Sequence, residues 1–93
     1  MSADSVEIRA VVHGRVQGVG FRATAQRHGR LLGLEGTVRN LADGSVEMCM
    51  RGSQEVIDRF LQILKQEEFP GCIQAVEIDL VSLKPNISGF SII

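Results

Sequence analysis

The residues with the clearest chemical potential lie in one stretch, Gly14-Arg15-Val16-Gln17-Gly18-Val19-Gly20-Phe21-Arg22. Gly18 and Gly20 can take positive φ and let a ligand approach bare backbone, so successive N–H groups can face one concavity. A helical pattern starts at Phe21, and its first turn adds the positive end of the helix dipole. Arg22 falls in that turn, where a cation opposes the dipole and a bound anion would offset the cost. Such a glycine-rich turn as a backbone cradle, with Arg22 as a forked cation, suits a single phosphoryl group. On spacing alone, a solvated arginine beside an ordinary glycine turn fits equally well. Asn40 is the second chemical candidate. Its amide can accept a hydrogen bond and donate another, but it cannot be a strong base. On residue type alone, an asparagine that helps to end a strand before the hairpin is the favoured reading.

Two other phosphate-binding patterns fit less well. Gly18-Val19-Gly20-Phe21-Arg22-Ala23 matches the Gly-x-Gly-x-x-Gly/Ala dinucleotide fingerprint in letters. The chain is too short for a doubly wound sheet, however, and the next strand leads into a hairpin signal, not a second crossover. A nucleoside-triphosphate loop fails because no Gly-Lys-Ser/Thr stands after the glycines.

The loop needs elements to hold it, and the hydrophobic pattern supplies them. Val6, Ile8, Ala10 and Val12 alternate with Glu7, Arg9, Val11 and His13, which predicts a half-buried strand. Phe21, Ala25, His28 and Leu32 fall at helical spacing, with Gly33 as the stop. Leu34, Gly36 and Val38 alternate again, and Asn40-Leu41-Ala42-Asp43-Gly44 carries an Asp-Gly hairpin signal. Val46, Met48 and Met50 form the inward face of the returning strand. Ser53 caps a second helix whose buried stripe is Val56, Ile57, Phe60, Leu61 and Leu64. Residues 67–71 form a loop, Val76, Ile78 and Leu80 mark a fourth strand, and Phe90-Ser91-Ile92-Ile93 a short last one after the break at Pro85-Asn86. Split βαβ units with right-handed crossovers interlock as a ferredoxin-like α+β sandwich, βαββαβ plus the short strand, with two helices on one face of an antiparallel sheet. Residues 1–5 are expected to be a mobile tail and 6–93 one domain.

Composition excludes several function classes. Apolar residues make up 44% and charged residues 23% of 93, an ordinary globular balance with no run near the roughly 20 apolar residues of a membrane span. The start lacks a signal-peptide pattern, so a cytoplasmic protein is expected. Cys49, Cys72, His13 and His28 form no recognisable zinc set, and no metal or cofactor is expected. A net charge of −1 argues against nucleic acid as a partner, as does a third strand without any aromatic residue on which bases could stack. The charge is uneven: residues 1–40 carry six arginines against three acids, and an anion would go to that half.

Gly14 to Arg22 resembles the first signature of the acylphosphatase family, and Gly36-Thr37-Val38-Arg39-Asn40, with Gly44, Val46 and Gly52 beyond, is similar to the second. The resemblance spans nearly the whole chain and implies the same ferredoxin-like fold. It implies Arg22 as the phosphate-binding arginine, Asn40 as the water-orienting asparagine, and residues 15–20 as the cradle. It also implies a small-molecule acyl phosphate as substrate and no metal, and inorganic phosphate or sulfate, as mimics of the phosphoryl group, are expected to compete. The short apolar runs predict no membrane association, and nothing in the sequence demands more than a monomer. A non-catalytic phosphate-binding or regulatory module on the same fold is the alternative. The family usually has an aromatic residue where this chain has Thr37, which should lie on the strand face opposite Asn40 and alter packing more than activity.

Overall fold

The computed structural model describes residues 5–67, 70–83 and 87–93. Most of the expected tail, residues 1–4, lies outside them, as do Glu68, Phe69, Pro85 and Asn86 from the two expected loops. The element order is β1 (Ser5–Arg15), α1 (Phe21–Leu31), β2 (Glu35–Asn40), β3 (Val46–Ser53), α2 (Gln54–Gln66), β4 (Cys72–Leu80) and β5 (Phe90–Ile92). The first strand begins at Ser5, which pairs with Ser53, so the sheet starts one residue before the expected boundary.

The sheet order is β4-β1-β3-β2-β5. The four long strands are antiparallel neighbours, as the split βαβ pattern requires. β5 joins the β2 edge in parallel, Gly36 opposite Phe90 and Val38 opposite Ile92, so the complete sheet is mixed. Three residues are enough for this because the strand ends are tied by backbone bonds, Gly36 N–H to Gly89 O at 2.8 Å and Ile93 N–H to Val38 O at 2.9 Å.

One face of the sheet carries the core. Ile8, Ala10 and Val12 from β1, Val38 from β2, and Val46, Met48 and Met50 from β3 are buried with Ile57, Phe60, Leu61 and Leu64 of α2. The register of α1 differs from the expectation. Its buried residues are Phe21, Ala25 and Gly29, a strict i, i+4, i+8 row, and His28 stands beside that row with Nε2 2.9 Å from Glu67 Oε1. Glycine carries no hydrophobic signal, but a bare Cα is what the site demands. A Cβ at Gly29 would come within 2.6 Å of the Phe90 ring, which packs in turn on Phe60 with centroids 5.7 Å apart. α1 and β5 therefore meet at unusually close range. The helix ends in a Schellman motif, with Leu34 N–H to Gly29 O at 2.9 Å and Gly33 N–H to Arg30 O at 3.1 Å, and Gly33 takes the positive φ of 74° that this stop needs.

On β4 the expected apolar positions divide. Val76 packs against the core, while Ile78 and Leu80 are exposed at the edge of the sheet. The opposite sheet face bears charged side chains paired across strands. Arg9 and Arg39 both reach the carboxylate of Glu47, and Arg51 bridges Glu7 and Glu35. Glu47 is 8% exposed, so β3 is buried on both faces over this stretch. Burial pushes its carboxyl up, but the hydrogen bonds from Arg9 and Arg39 outweigh it and hold the group below the usual carboxylate range. Thr37 lies on this charged face opposite Cys49, away from the side of Val38. Among the described residues, no helix is long and apolar enough to cross a membrane.

Candidate active site

The loop from β1 to α1 is built around three glycines. At Gly14, φ is 133° and a Cβ would collide with the carbonyl oxygen of Cys72, so only glycine lets β1 shift register against β4 between His13 and Gly14. Beyond this irregularity the chain leaves the sheet. Gly18 and Gly20 take φ of 75° and 82°, and open space surrounds the place where each Cβ would be. Val16, 1% exposed, anchors the loop in the core between them and the strand.

The two helix starts contrast. Ser53 caps α2 by accepting from Val56 N–H at 3.2 Å, and Glu55 stands in its first turn. α1 has Gly20 at its N-cap, no side-chain cap and no acid in its first turn. Its positive end is therefore left uncompensated by carboxylates of its own first turn. A cavity of about 180 Å³ opens there, lined by Val16, Gly18, Gly20, Phe21, Arg22, Ala23 and Ile92. It is well above the ~10–15 Å³ that admits one water and below the ~300–1,000 Å³ of drug-sized sites. A small anion with its remaining substituent projecting outward matches that size.

Arg22 is the cation on this cavity. Among the described residues it makes no ion pair, whereas Arg9, Arg27, Arg39 and Arg51 are all engaged with carboxylates. Half of the six arginines of residues 1–40 are thus engaged in ion pairs within the fold. Arg9, Arg27 and Arg39 serve Glu47 and Glu67, and only Arg22 of the remaining three lines the cavity.

The expected site residues are only partly brought together. Val16, Gly18, Gly20 and Arg22 line the cavity; Arg15, Gln17, Val19 and Asn40 do not. Arg15 is the exposed last residue of β1, opposite Cys72. Val19 packs against the core. Asn40 is the exposed last residue of β2, paired with Val46, where the hairpin begins. That hairpin is joined to the loop by Gln17, whose side chain reaches the carbonyls of Leu41 and Ser45. Ile92 and Ala23 are cavity residues that sequence reasoning did not single out. Alternation of Phe90 and Ile92 was the available signal for Ile92, but it names a buried face without naming the neighbour, and only the parallel pairing with β2 brings Ile92 beside the start of α1.

Among the described residues, no group of three or more His, Cys, Asp or Glu is placed to hold a metal ion. Cys49 and Cys72 are free thiols, and burial pushes the Cys49 thiol above its ordinary value. His13 Nε2 lies 3.1 Å from Glu77 Oε1 on the neighbouring strand β4. The arrangement offers backbone donors, one helix end and one guanidinium to an anion, and the residues lining the cavity include no general acid.

Comparison with known proteins shows the family. The acylphosphatase family model matches residues 8–92. The acylphosphatase of Mycobacterium sp. (strain JLS) is 41% identical over 91 residues, covering 97% of each chain. The crystal structure of acylphosphatase from Bacillus subtilis superposes with a TM-score of 0.86 at 30% identity, over 95% of this chain and 98% of that one. The same fold recurs in full-length HypF in its phosphate- and nucleotide-bound form, with a TM-score of 0.84 at 20% identity, where the match covers all of this chain and 12% of that one.

Proposed function

Because this chain belongs to the acylphosphatase family, we propose that Arg22 and the backbone of residues 15–20 hold the phosphoryl group of an acyl phosphate while Asn40 places the attacking water. The activity is that of an acylphosphatase, hydrolysis of an acyl phosphate to a carboxylate and inorganic phosphate. The observation that carries the residue assignment is the meeting of Arg22, without an ion pair among the described residues, with Gly18 and Gly20 on one cavity, at a helix start that lacks a side-chain cap.

The chemistry fits a site without a general acid. Water attacks phosphorus, the bond from phosphorus to the acyl oxygen breaks, and the electron pair leaves on the carboxylate. With a reference pKa near 4, a carboxylate departs unprotonated at neutral pH. What remains is alignment, and stabilisation of the charge on the equatorial phosphoryl oxygens. Backbone N–H groups and a planar guanidinium provide it in a matching geometry, so the positive charge comes from the protein itself. Inorganic phosphate and sulfate offer the same oxygens and compete. Two free thiols suit a reducing, cytoplasmic compartment.

The test is hydrolysis of acetyl phosphate with a strong chelator present. Turnover is expected to be unchanged. Loss of activity that magnesium or zinc restores would overturn the metal-independent mechanism, and phosphate binding without turnover would make this a binding module, as a shared fold alone permits.

A further inference from the structure

Gln17 sits in the glycine loop, yet its side chain turns away from the cavity. Its Nε2 donates to the carbonyl oxygen of Leu41 at 2.7 Å and to that of Ser45 at 2.8 Å. Both partners are carbonyls, so only the NH₂ end of the amide can serve them, and this settles its orientation. The two carbonyls belong to opposite ends of the turn after Asn40. That turn is closed on itself. Leu41 N–H donates to Ser45 O at 2.8 Å, and Asp43 Oδ1 accepts from the backbone N–H of Ser45 at 3.0 Å and from its hydroxyl. Ser45 is buried, so these bonds close the turn at its base while residues 42–44 stay exposed. Gln17 fastens it to the loop by two bonds at once.

We propose that Gln17 is a positioning residue, a latch that fixes Asn40 relative to the phosphoryl cradle. The proposal rests on the assignment of Arg22 and Asn40 above. Asn40 is the residue immediately before Leu41 and lies outside the cavity, so its placement over a bound phosphoryl group depends on where this turn is held. Displacement of a reacting group by about 1 Å can cost about 10²-fold in rate. The latch is a direct side-chain connection between the two halves of the site, and its amide makes no use of the substrate.

The experiment is a kinetic cycle with Gln17→Leu, Asn40→Ala and the double variant, reading kcat on acetyl phosphate and the inhibition constant of inorganic phosphate. Leucine approximates the bulk of glutamine but has no donors. We expect Gln17→Leu to lower kcat by about 10- to 100-fold, with less than about a threefold change in phosphate inhibition, since the cradle itself is intact. In the Asn40→Ala background the same substitution should have less than about a twofold effect, because no placed water remains to be misaligned. A residue that merely supports the fold would act equally in both backgrounds. Equal losses with and without Asn40, or a phosphate inhibition constant that rises as much as kcat/KM falls, would overturn the latch. If Asn40→Ala alone leaves kcat unchanged, the water-placing assignment is what fails. Should Gln17→Leu not fold by circular dichroism, Gln17→Glu replaces it in the cycle, keeping shape and polarity while presenting acceptors to two carbonyls.

Discussion

Replacing Arg22 with alanine should move activity and stability in opposite directions. Arg22 stands in the first turn of α1, with no acid in that turn and no ion pair among the described residues. A cation there opposes the helix dipole by about 0.3–1 kcal/mol, and alanine is at least as good a helix former. Removing it should leave the free protein as stable or more stable, by up to about 1 kcal/mol. For a chain of this size that is a rise in Tm of up to about 4–8 °C. The phosphoryl group, in contrast, loses its side-chain cation in ground and transition states alike. A charge-assisted hydrogen bond contributes about 1.5–3 kcal/mol and a guanidinium fork makes two, so kcat/KM should fall by about 10² or more, with weaker phosphate binding. The assay pairs initial rates on acetyl phosphate with phosphate titration and thermal melts of both proteins without phosphate. A variant that melts several degrees lower would show that Arg22 supports the fold and is not held in reserve for a ligand. A fully active variant would remove it from the site.

Other outcomes rest on the same geometry. Inorganic phosphate at about 100 times its dissociation constant should stabilise the protein by roughly 2.7 kcal/mol, read as a rise in Tm that Arg22→Ala diminishes; a flat melting curve at all phosphate concentrations would argue against the cradle. Gly29→Ala should lower Tm despite its better helix propensity of about 1 kcal/mol, because a Cβ 2.6 Å from a buried Phe90 ring carbon forces overpacking that costs about 1–3 kcal/mol. A raised Tm would mean that α1 and β5 yield more easily than their contact implies. Acid should destabilise the fold with a definite sign. Glu47, Glu7 and Asp43 all have carboxyls held below their ordinary values in the folded state, so the stability they confer is present above the unfolded range near pH 4 and is lost as pH falls through their folded values. Melting temperature should be nearly level from about pH 7 to 5 and drop below about 4, and Glu47→Gln should shallow that drop; an unchanged pH profile for this variant would discount the Arg9–Glu47–Arg39 cluster.

Much of the fold is legible in local pattern because each rule acts over a few residues. Period-two alternation identified β1 and β3, the Asp43-Gly44 pair identified the hairpin, and Ser53 announced α2 by its cap. Gly18, Gly20 and Arg22 were legible in the same way, since a glycine loop and a helix start are neighbours in sequence. Features that depend on long-range partners were not. Nothing within Phe90–Ile92 tells that it will lie parallel to β2, and so Ile92 could not be placed on the cavity. Gly29 was invisible to a search for apolar stripes, because its contribution is the side chain it lacks. Glu47 reads as a solvent-facing residue by alternation; its burial exists only because Arg9 and Arg39 arrive from two other strands. Gln17 enters the expected cradle through its backbone, but the role of its side chain, which bonds the hairpin, depends on partners distant in sequence.

The cavity has walls from Val16, Gly18, Gly20, Phe21, Arg22 and Ala23 on one side and from Ile92 on the other, drawn together by the docking of α1 against β5. A chain in which β5 is still detached has the loop and Arg22 but no enclosed site. Sheets that pair residues as distant as Ile8 and Leu80, or Gly36 and Phe90, assemble on the slow side of the range for small domains. Phosphate held by the proposed cradle would therefore recognise the finished arrangement and not the partly assembled one. Its effect should fall chiefly on the unfolding rate, with folding hardly accelerated, so that the product of the reaction doubles as a kinetic lock on the protein that makes it.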